Sequence, residues 1–377
     1  MVAMTDADYM LMALELAERG RGRTSPNPMV GAVIVRDGEI VGRGYHARAG
    51  DDHGEIVALK EAGERARDAT LYINLEPCCH YGRTPPCVDA ITRAGVKRAV
   101  VAMVDPFEKV AGKGIDTLRQ AGIEVDVGLL EEKARRLNEV FVKYVMTGKP
   151  FVILKMAMSL DGRIAAGSGD SKWITCEEAR LRVHRLRDEV DAVLVGRATV
   201  EQDDPLLTTR LPDREGKNPI RVILDGKARI PVNARVLRDE CEASTWVIVG
   251  ESADPARVRA LRDAGAEVVA LPDELGRIEF DAVLRELGRR EVTNVLVEGG
   301  KEVFTEALRS RSVDKLVAFV APVLVGGDGR FNAVGELGVE RISDAFKLRD
   351  VTVERVCDDV LIEGYVGYAH EEKAGVC

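Results

Sequence analysis

Two hydrophobic periodicities alternate along this chain. From residue 1 to about 146, short apolar runs predict strands at "MVGAVIVR", "EIVGRGYH", "LYINLE", "KRAVVAMV" and "IEVDVG". Apolar residues three and four apart predict helices near residues 6–19, 54–66, 86–95, 113–121 and 130–145. Asp37-Gly38, between the first two strands, signals a two-residue hairpin, because a type I′ turn requires positive φ at both central positions. The strand–helix alternation that follows favours a three-layer α/β/α sandwich. At "TGKP" (147–150) the periodicity stops on a Gly and a Pro, which bounds the expected domains at 1–146 and 151–370. The second stretch opens on "FVILKMAM" and continues through "DAVLVG", "IRVILDG", "STWVIVG", "AEVVAL" and "TNVLVEGG", with helical windows between them. Two long β-rich runs, "VDKLVAFVAPVLVGG" and "LRDVTVERVCDDVLIEGYVG", complete it, so the order predicts a mostly parallel α/β sheet finished by antiparallel strands.

Length agrees with this division. At 377 residues the chain exceeds the roughly 250–300 that one hydrophobic core supports. No window approaches the roughly 18 uninterrupted apolar residues of a membrane span, and the acidic, helix-spaced N-terminus lacks the basic n-region of a signal peptide. The expectation is a cytoplasmic protein with no membrane partner. Seven cysteines, an odd number with three of them clustered, fit a metal or catalytic group in a reducing compartment better than a disulfide framework. The net charge of −9 argues against nucleic acid as a partner. Divided after residue 149, the first part carries 21 basic and 22 acidic residues and the second 33 and 41, so neither half is basic.

The densest chemistry lies in "HGE" at 53–55 and "EPCCHYGRTPPC" at 76–87. A catalytic zinc takes three His or Cys ligands and keeps its fourth position for a water, whose pKa falls to about 7. Both segments lead into predicted helices. Helix N-termini favour thiolates, which selects Cys87, and Cys78 starts the loop that faces the same end. Adjacent side chains rarely aim at one point, so Cys79 and His80 stay outside the proposed set of His53, Cys78 and Cys87. Zinc nucleobase deaminases carry H-x-E and then P-C with a second Cys, the Glu shuttling protons without ligating. His53-Gly54-Glu55 fits, which makes Glu55 the catalytic acid–base. Eight residues separate Cys78 from Cys87 where the general pattern has two. The competing reading is a structural zinc closed by a fourth ligand.

That long insertion, together with "SPNPMVGAVIV" and "GYHARAGDDHGE", resembles the deaminase domain of the bifunctional riboflavin-biosynthesis deaminase/reductase family. The resemblance implies that Asn27, His46 and Arg83 contact a diaminopyrimidine ribosyl phosphate. The family usually has Ala where this chain has Gly54, a change that loosens a helix start by about 0.5–1 kcal/mol.

The second half has no G-x-G-x-x-G after a strand. It offers instead "NVLVEGGKEVFTEAL", a strand running through Gly299-Gly300 into a helix, a junction whose backbone N–H groups can receive a pyrophosphate but which is more often only a turn. "LKMAMSLDGRIA", "SKWIT", "GRATVEQDDPLLTTR" and "VEGGKEVF" resemble, in order, the reductase domain of the same family, which implies a dihydrofolate-reductase-like α/β fold and NADPH. Matched motif by motif, Ala157, Trp173, Thr199, Asp203 and the turn Gly299, Gly300, Lys301, Glu302, Val303 and Phe304 fall at cofactor positions. Ser171, Arg187, Arg210 and Glu298 fall at substrate positions, and the two guanidinium forks suit a phosphate. Lys155 and Asp203 are the candidates to polarise or protonate the opened ribose. Each of these has a plain structural reading as well: a snorkelling Lys155, a core Trp173, an Asp203 that ends a helix, an Arg187 in solvent. His184 and His370 read as a helix-surface and a tail residue, and Cys176, Cys241, Cys357 and Cys377 as scattered thiols.

The whole reading is a zinc hydrolytic deaminase joined to an NADPH reductase, acting on a small pyrimidine ribosyl phosphate. The flat sheets and the family both suggest a homo-oligomer. Its rivals are a nucleic-acid deaminase with a degenerate second domain and a non-enzymatic zinc scaffold.

Overall fold

The computed structural model describes residues 4–79, 86–107, 110–238 and 243–368. It divides into two compact units, Met1–Lys149 and Pro150–Cys377.

In the first unit five strands form one sheet: β1 (Gly31–Arg36), β2 (Glu39–Tyr45), β3 (Thr70–Ile73), β4 (Arg98–Val101) and β5 (Glu124–Val127), in the order β2-β1-β3-β4-β5. The β1–β2 hairpin turns on Asp37 and Gly38 with φ of 51° and 81°, the conformation that the dipeptide predicted. Helices α1 (Asp6–Glu18) and α2 (Gly54–Ala62) take opposite faces of the sheet. A Cβ on Gly31 would strike the Ala13 carbonyl of α1 at 2.1 Å, and one on Gly44, pointing to the other face, would strike the Gly54 carbonyl of α2 at 2.2 Å. These contacts bring both helices against the strands and give the three layers. α3 (Cys87–Ala94) and α4 (Lys113–Gln120) follow.

The single helix predicted over 130–145 is two, α5 (Glu131–Leu137) and α6 (Glu139–Thr147). Asn138 causes the break. Its side-chain Oδ1 accepts the Met29 N–H at 2.8 Å and its Nδ2 donates to the Met29 carbonyl at 2.9 Å, which holds the backbone at the joint away from regular helix. Gly148 then caps α6 in the left-handed region, with φ of 68°.

The second unit is built on a nine-stranded sheet. Its strands are β6 (Phe151–Ser159), β7 (Ala192–Gly196), β8 (Ile220–Leu224), β9 (Thr245–Gly250), β10 (Glu267–Leu271), β13 (Asn294–Gly299), β14 (Lys315–Ala321), β15 (Lys347–Val356) and β16 (Asp359–Gly367). β11 (Asp273–Glu274) and β12 (Arg277–Ile278) form a separate ribbon. The order β10-β9-β8-β7-β13-β6-β14-β16-β15 is parallel through β14 and antiparallel at β16 and β15, as the sequence order predicted. Alternate residues enter different cores: Ala192, Leu194, Val222, Trp246 and Ile248 pack on one face, Val193, Val195, Ile223, Val247 and Val249 on the other. Burial on both faces explains why these strands read as continuous apolar runs. Helices α7 (Glu177–Glu189), α8 (Arg197–Asp203), α9 (Arg235–Arg238), α10 (Pro255–Asp263), α11 (Phe280–Arg289) and α12 (Lys301–Arg309) join the strands.

The run "VDKLVAFVAPVLVGG" is strand only to Ala321. Pro322 has no N–H to donate to the ladder, and Val323, Leu324 and Val325 beyond it are exposed. The Val325 and Gly326 N–H groups turn instead to the Asp161 carboxylate, at 3.1 and 2.7 Å.

Candidate active sites

In the first unit the starts of α2 and α3 meet. His53 is the residue before α2, Cys87 opens α3, and Cys78 lies in the connection between β3 and α3. Their donor atoms lie within 4.8 Å of one another, and they are the metal-competent cluster found among the described residues. His53 Nδ1 stands 3.8 Å from Cys78 Sγ and 3.2 Å from Cys87 Sγ. Three N/S donors converging from two helix starts and a loop suit a tetrahedral zinc with one position left for solvent.

The two thiols act as one pair: Cys78 and Cys87 share a hydrogen bond within reach of His53, and the Cys87 backbone N–H adds a second bond to Cys78 Sγ at 3.4 Å, so the pair is driven toward holding one thiolate against the opposing effect of burial. The same thiolate raises His53 to about 9 against the opposing effect of burial. Metal binding must therefore expel protons from this cluster.

Glu55 sits in the first turn of α2, 1% exposed, with Oε1 4.0 Å from His53 Nδ1. Its Oε2 is buried without a hydrogen-bond partner in the protein, and burial raises its pKa. A buried carboxyl beside the three donors, with one oxygen unsatisfied, is arranged to pass a proton to a group that the protein itself does not supply. Gly54 is more than a loosened helix start. A Cβ there would lie 2.6 Å from the Val30 carbonyl, so its absence lets α2 sit this close to the chain before β1.

His46 and Asn27 are joined rather than separate. The Asp52 carbonyl lies 3.1 Å from His46 Nδ1 and can only accept, so Nδ1 carries the proton and Nε2 is the lone pair facing Asn27 Nδ2 at 3.2 Å. Both imidazole nitrogens are thus engaged within the protein, and the ring packs edge-on to His53 at 5.2 Å. Arg83 lies outside the described residues, as do His80, Cys241, His370 and Cys377. The sequence reading missed Glu76. This buried carboxylate accepts the N–H groups of Asp105 and Gly112 on Oε2 and of Gly114 and Ile115 on Oε1, pinning the start of α4 two residues from Cys78. Its only signal in the sequence is a charged residue inside the apolar end of a strand.

In the second unit one cavity of about 1460 Å³ opens along β6, β7 and β13. Thirteen Lys or Arg and six Asp or Glu line it, a basic chamber in the more acidic half of the chain. All the reductase candidates border it. Arg187, from α7, and Glu298, from β13, form a bidentate pair: Nε donates to Oε1 at 2.5 Å and Nη2 to Oε2 at 2.7 Å, while Nη1 donates to the Thr208 carbonyl at 3.0 Å. Arg187 is therefore not in solvent. Burial raises the Glu298 pKa, but the Arg187 and Lys155 charges outweigh it and hold the carboxyl low. Burial lowers the Lys155 pKa, opposed by the Glu298 charge.

Asp203, at the end of α8, accepts the Ser171 hydroxyl at 2.7 Å, and its carbonyl accepts Lys172 Nζ at 3.1 Å. Trp173 is no core aromatic. It is 70% exposed at the cavity edge, with the Arg180 guanidinium 4.4 Å above its ring. Ala157 borders the cavity from β6. Thr199 Oγ1 lies 3.1 Å from where a Gly299 Cβ would be and 3.3 Å from a Gly300 Cβ, so side chains there would crowd the turn. Lys301 Nζ donates to the Gly329 carbonyl at 3.2 Å, whereas Phe304 contributes its ring to the core. Glu302 and Val303 complete the first turn of α12 on the cavity wall. His184, read as a helix-surface residue, is half-buried in this cavity beside Arg187 and Arg210.

A family model described as the cytidine and deoxycytidylate deaminase zinc-binding region matches residues 3–103, and one described as the RibD C-terminal domain matches residues 150–362. The chain is 46% identical to riboflavin biosynthesis protein RibD of Aquifex aeolicus over 362 residues, 96% of this chain and 99% of that one. The chain belongs to the RibD family. RibD of Escherichia coli strain K12 is 41% identical over 373 residues, covering 95% of this chain and 99% of its own. The structure of Acinetobacter baumannii RibD aligns with a TM-score of 0.85 at 38% identity, covering 96% of this chain and 99% of that one. A Thermotoga maritima structure titled a diaminohydroxyphosphoribosylaminopyrimidine deaminase/5-amino-6-(5-phosphoribosylamino)uracil reductase aligns at 0.83 with 39% identity and the same coverages. The fold is thus the family's: a cytidine-deaminase-like sandwich followed by a dihydrofolate-reductase-like domain. No described helix is long and apolar enough to cross a membrane.

Proposed function

We propose that the chain is a bifunctional enzyme of riboflavin biosynthesis that hydrolytically deaminates 2,5-diamino-6-ribosylamino-4(3H)-pyrimidinone 5′-phosphate and then reduces the ribosyl group of the resulting aminouracil with NADPH. The observation that carries the reading is the pairing, on one RibD-family chain, of an open three-donor metal site beside an unsatisfied buried carboxylate with a large basic cavity.

His53, Cys78 and Cys87 would hold zinc, which when bound supplies the Lewis acidity that makes water a nucleophile near neutral pH. Glu55 takes a proton on Oε2 and returns it to the departing ammonia. Burial, which lifts the carboxyl's basicity, suits it to both transfers. Asn27, oriented by His46, faces the same region with a polar amide. In the second unit the turn Gly299–Phe304 and Thr199 would seat the dinucleotide phosphates, and Ala157 and Trp173 would border the nicotinamide end. The hydride chemistry belongs to NADPH. Lys155, held beside the Glu298 carboxylate, is the acid placed to protonate the sugar oxygen as the carbonyl carbon is reduced. Asp203 holds Ser171 in place for the substrate.

The test is NADPH oxidation by purified protein given the diaminopyrimidine ribosyl phosphate, run beside Glu55→Gln. Oxidation by the wild type alone supports both halves in order. If the wild type oxidises NADPH only with the aminouracil, the deaminase reading fails. Silence with both substrates removes the reductase reading.

A further inference from the structure

Two cysteines that read in the sequence as scattered thiols meet in the second unit. Cys176 is the residue before α7, and its sulfur caps the helix by accepting the Ala179 N–H at 3.5 Å. Cys357 lies in the two-residue connection between β15, which ends at Val356, and β16, which begins at Asp359. The residues flanking that connection hold Cys176 directly. Its Sγ–H donates to the Val356 carbonyl at 3.4 Å, and its backbone N–H donates to the Asp359 carboxylate at 2.8 Å. Asp359 is itself buried, and the Arg355 guanidinium fixes the turn from outside by donating to the Cys357 carbonyl at 2.8 Å and to Asp358 at 3.1 Å. The Cys357 and Cys176 side chains hydrogen-bond each other, so the two sulfurs are neighbours although they stand far apart in the chain. They differ in access. Cys357 is exposed, with φ of 55° in the region that favours Gly, whereas Cys176 is partly covered. Neither residue lines the reductase cavity.

We propose that Cys176 and Cys357 are a reversible dithiol/disulfide pair, oxidised by a low-molecular-weight disulfide, whose closure clamps the start of α7 to the β15–β16 connection. The inference is independent of the reactions proposed above. Cys357, as thiolate, attacks one sulfur of the small disulfide; an S–S bond forms to Cys357, the original S–S bond breaks, and one small thiol leaves. The Cys176 sulfur then attacks Cys357 in the mixed disulfide and displaces the second small thiol. Two cysteine thiols are thereby oxidised, one small disulfide is reduced to two thiols, and the two cysteine protons end on those thiols. Partial burial, the Cys357 thiol and the Asp359 carboxylate raise the Cys176 pKa, which leaves the exposed Cys357 to react first. The second step is intramolecular between groups already in contact, so it outruns a second encounter with the small disulfide. Exchangeable pairs of this kind, and not permanent bridges, are the disulfides met in reducing compartments. The clamp acts at the joint between the segment that carries Ser171 and Trp173 to the cavity and the helix that carries Arg187. Cross-linking such distant segments restricts the unfolded chain and stabilises the folded unit.

The experiment incubates the full-length, zinc-loaded wild type, Cys176→Ser and Cys357→Ser with oxidised glutathione, caps the remaining thiols with iodoacetamide, and identifies the joined peptides by mass spectrometry. Each sample is also melted in a calorimeter before and after reduction with a phosphine. The serine hydroxyl can keep the thiol's hydrogen bonds, so both variants should fold. We expect the wild type to yield a peptide pair joined through residues 176 and 357 that reduction separates. Its melting midpoint should rise by about 5–10 °C on oxidation, measured against Cys357→Ser treated in the same way. Cys176→Ser should retain glutathione on Cys357 and gain no such rise. A wild type that retains glutathione on Cys357 without joining Cys176 would overturn the proposal, as would a joined pair that leaves the melt unchanged. So would a cross-link that forms as fast in urea-unfolded protein, because the fold would then not be what brings the sulfurs together.

Discussion

Single groups in both sites are held in states that water would not give them. Glu55 keeps a carboxyl whose pKa is raised by burial with one oxygen unpaired, so Glu55→Gln should lose about 10²–10⁴ of the deamination rate while one zinc per chain stays bound. Ammonia release and metal content measured on the same preparation check this, and loss of the metal would make Glu55 a ligand. Arg187 and Glu298 form the opposite case, two charges buried together. Replacing Arg187 by Met leaves a buried carboxylate without its partner, at a cost of about 3–5 kcal/mol, whereas the double replacement Arg187→Met with Glu298→Met should recover most of that stability and none of the reductase activity. Chemical denaturation of the three variants reads the difference. His184, lowered to about 4 by burial and by the Arg187 and Arg210 charges, binds its proton more weakly when folded than when unfolded. Between its ordinary value near 6.5 and pH 4 the unfolded chain therefore takes up more protons, and stability falls as the pH drops through that window. His184→Gln removes the effect. Its stability relative to wild type should improve by about 1 kcal/mol from pH 7 to pH 5, a figure reduced for solvent screening at a half-buried site. An unchanged difference across that range would mean that the imidazole titrates normally.

Elements were legible in the sequence where one local rule determined them. Asp37-Gly38 announced its hairpin, and the doubly buried strands β6 to β9 announced themselves as unbroken apolar runs. The clustering of His53, Cys78 and Cys87 was legible because two helix starts and a loop carry their donor atoms in fixed spacings. What stayed hidden depends on distant partners. Asn138 divides α5 from α6 only because Met29 lies beside it, and His184 becomes a cavity residue only when β13 and the 208–210 segment close around α7. Glu76 belongs to the same group. Four backbone N–H groups from a segment some thirty residues on converge on its carboxylate, and they set where α4 begins beside Cys78. Glu76→Gln turns an amide donor toward two of them, which should cost about 2–3 kcal/mol and weaken zinc retention against a chelator. Circular-dichroism melts in the zinc-loaded state, with chelator titrations beside them, test this; normal stability would show that the loop holds without the carboxylate.

At the scale of the whole molecule, each proposed chemistry has its own hydrophobic support. One core cluster runs from Tyr9 to Ala134, entirely within the first unit, and the clusters of the second unit draw every member from residues beyond 150. The charge is divided too: the charged side chains lining the cavity of the acidic half are mostly cations, 13 against six acids, which concentrates anionic ligands there without making the surface basic. Separate cores with separate ligands predict separable melting. A ligand that binds only the folded state raises stability by RT ln(1 + [L]/Kd), about 2.7 kcal/mol at a hundredfold excess over Kd, and each kcal/mol moves the midpoint of a 150–250-residue domain by about 2–4 °C. Calorimetry of the intact chain should therefore resolve two transitions. Stripping the metal should lower one of them, and saturating NADPH should raise the other by about 5–10 °C, with neither treatment moving both. Transitions that shift together under either ligand would mean that the two units unfold as one, and the division of labour argued from their cores would not extend to their stability.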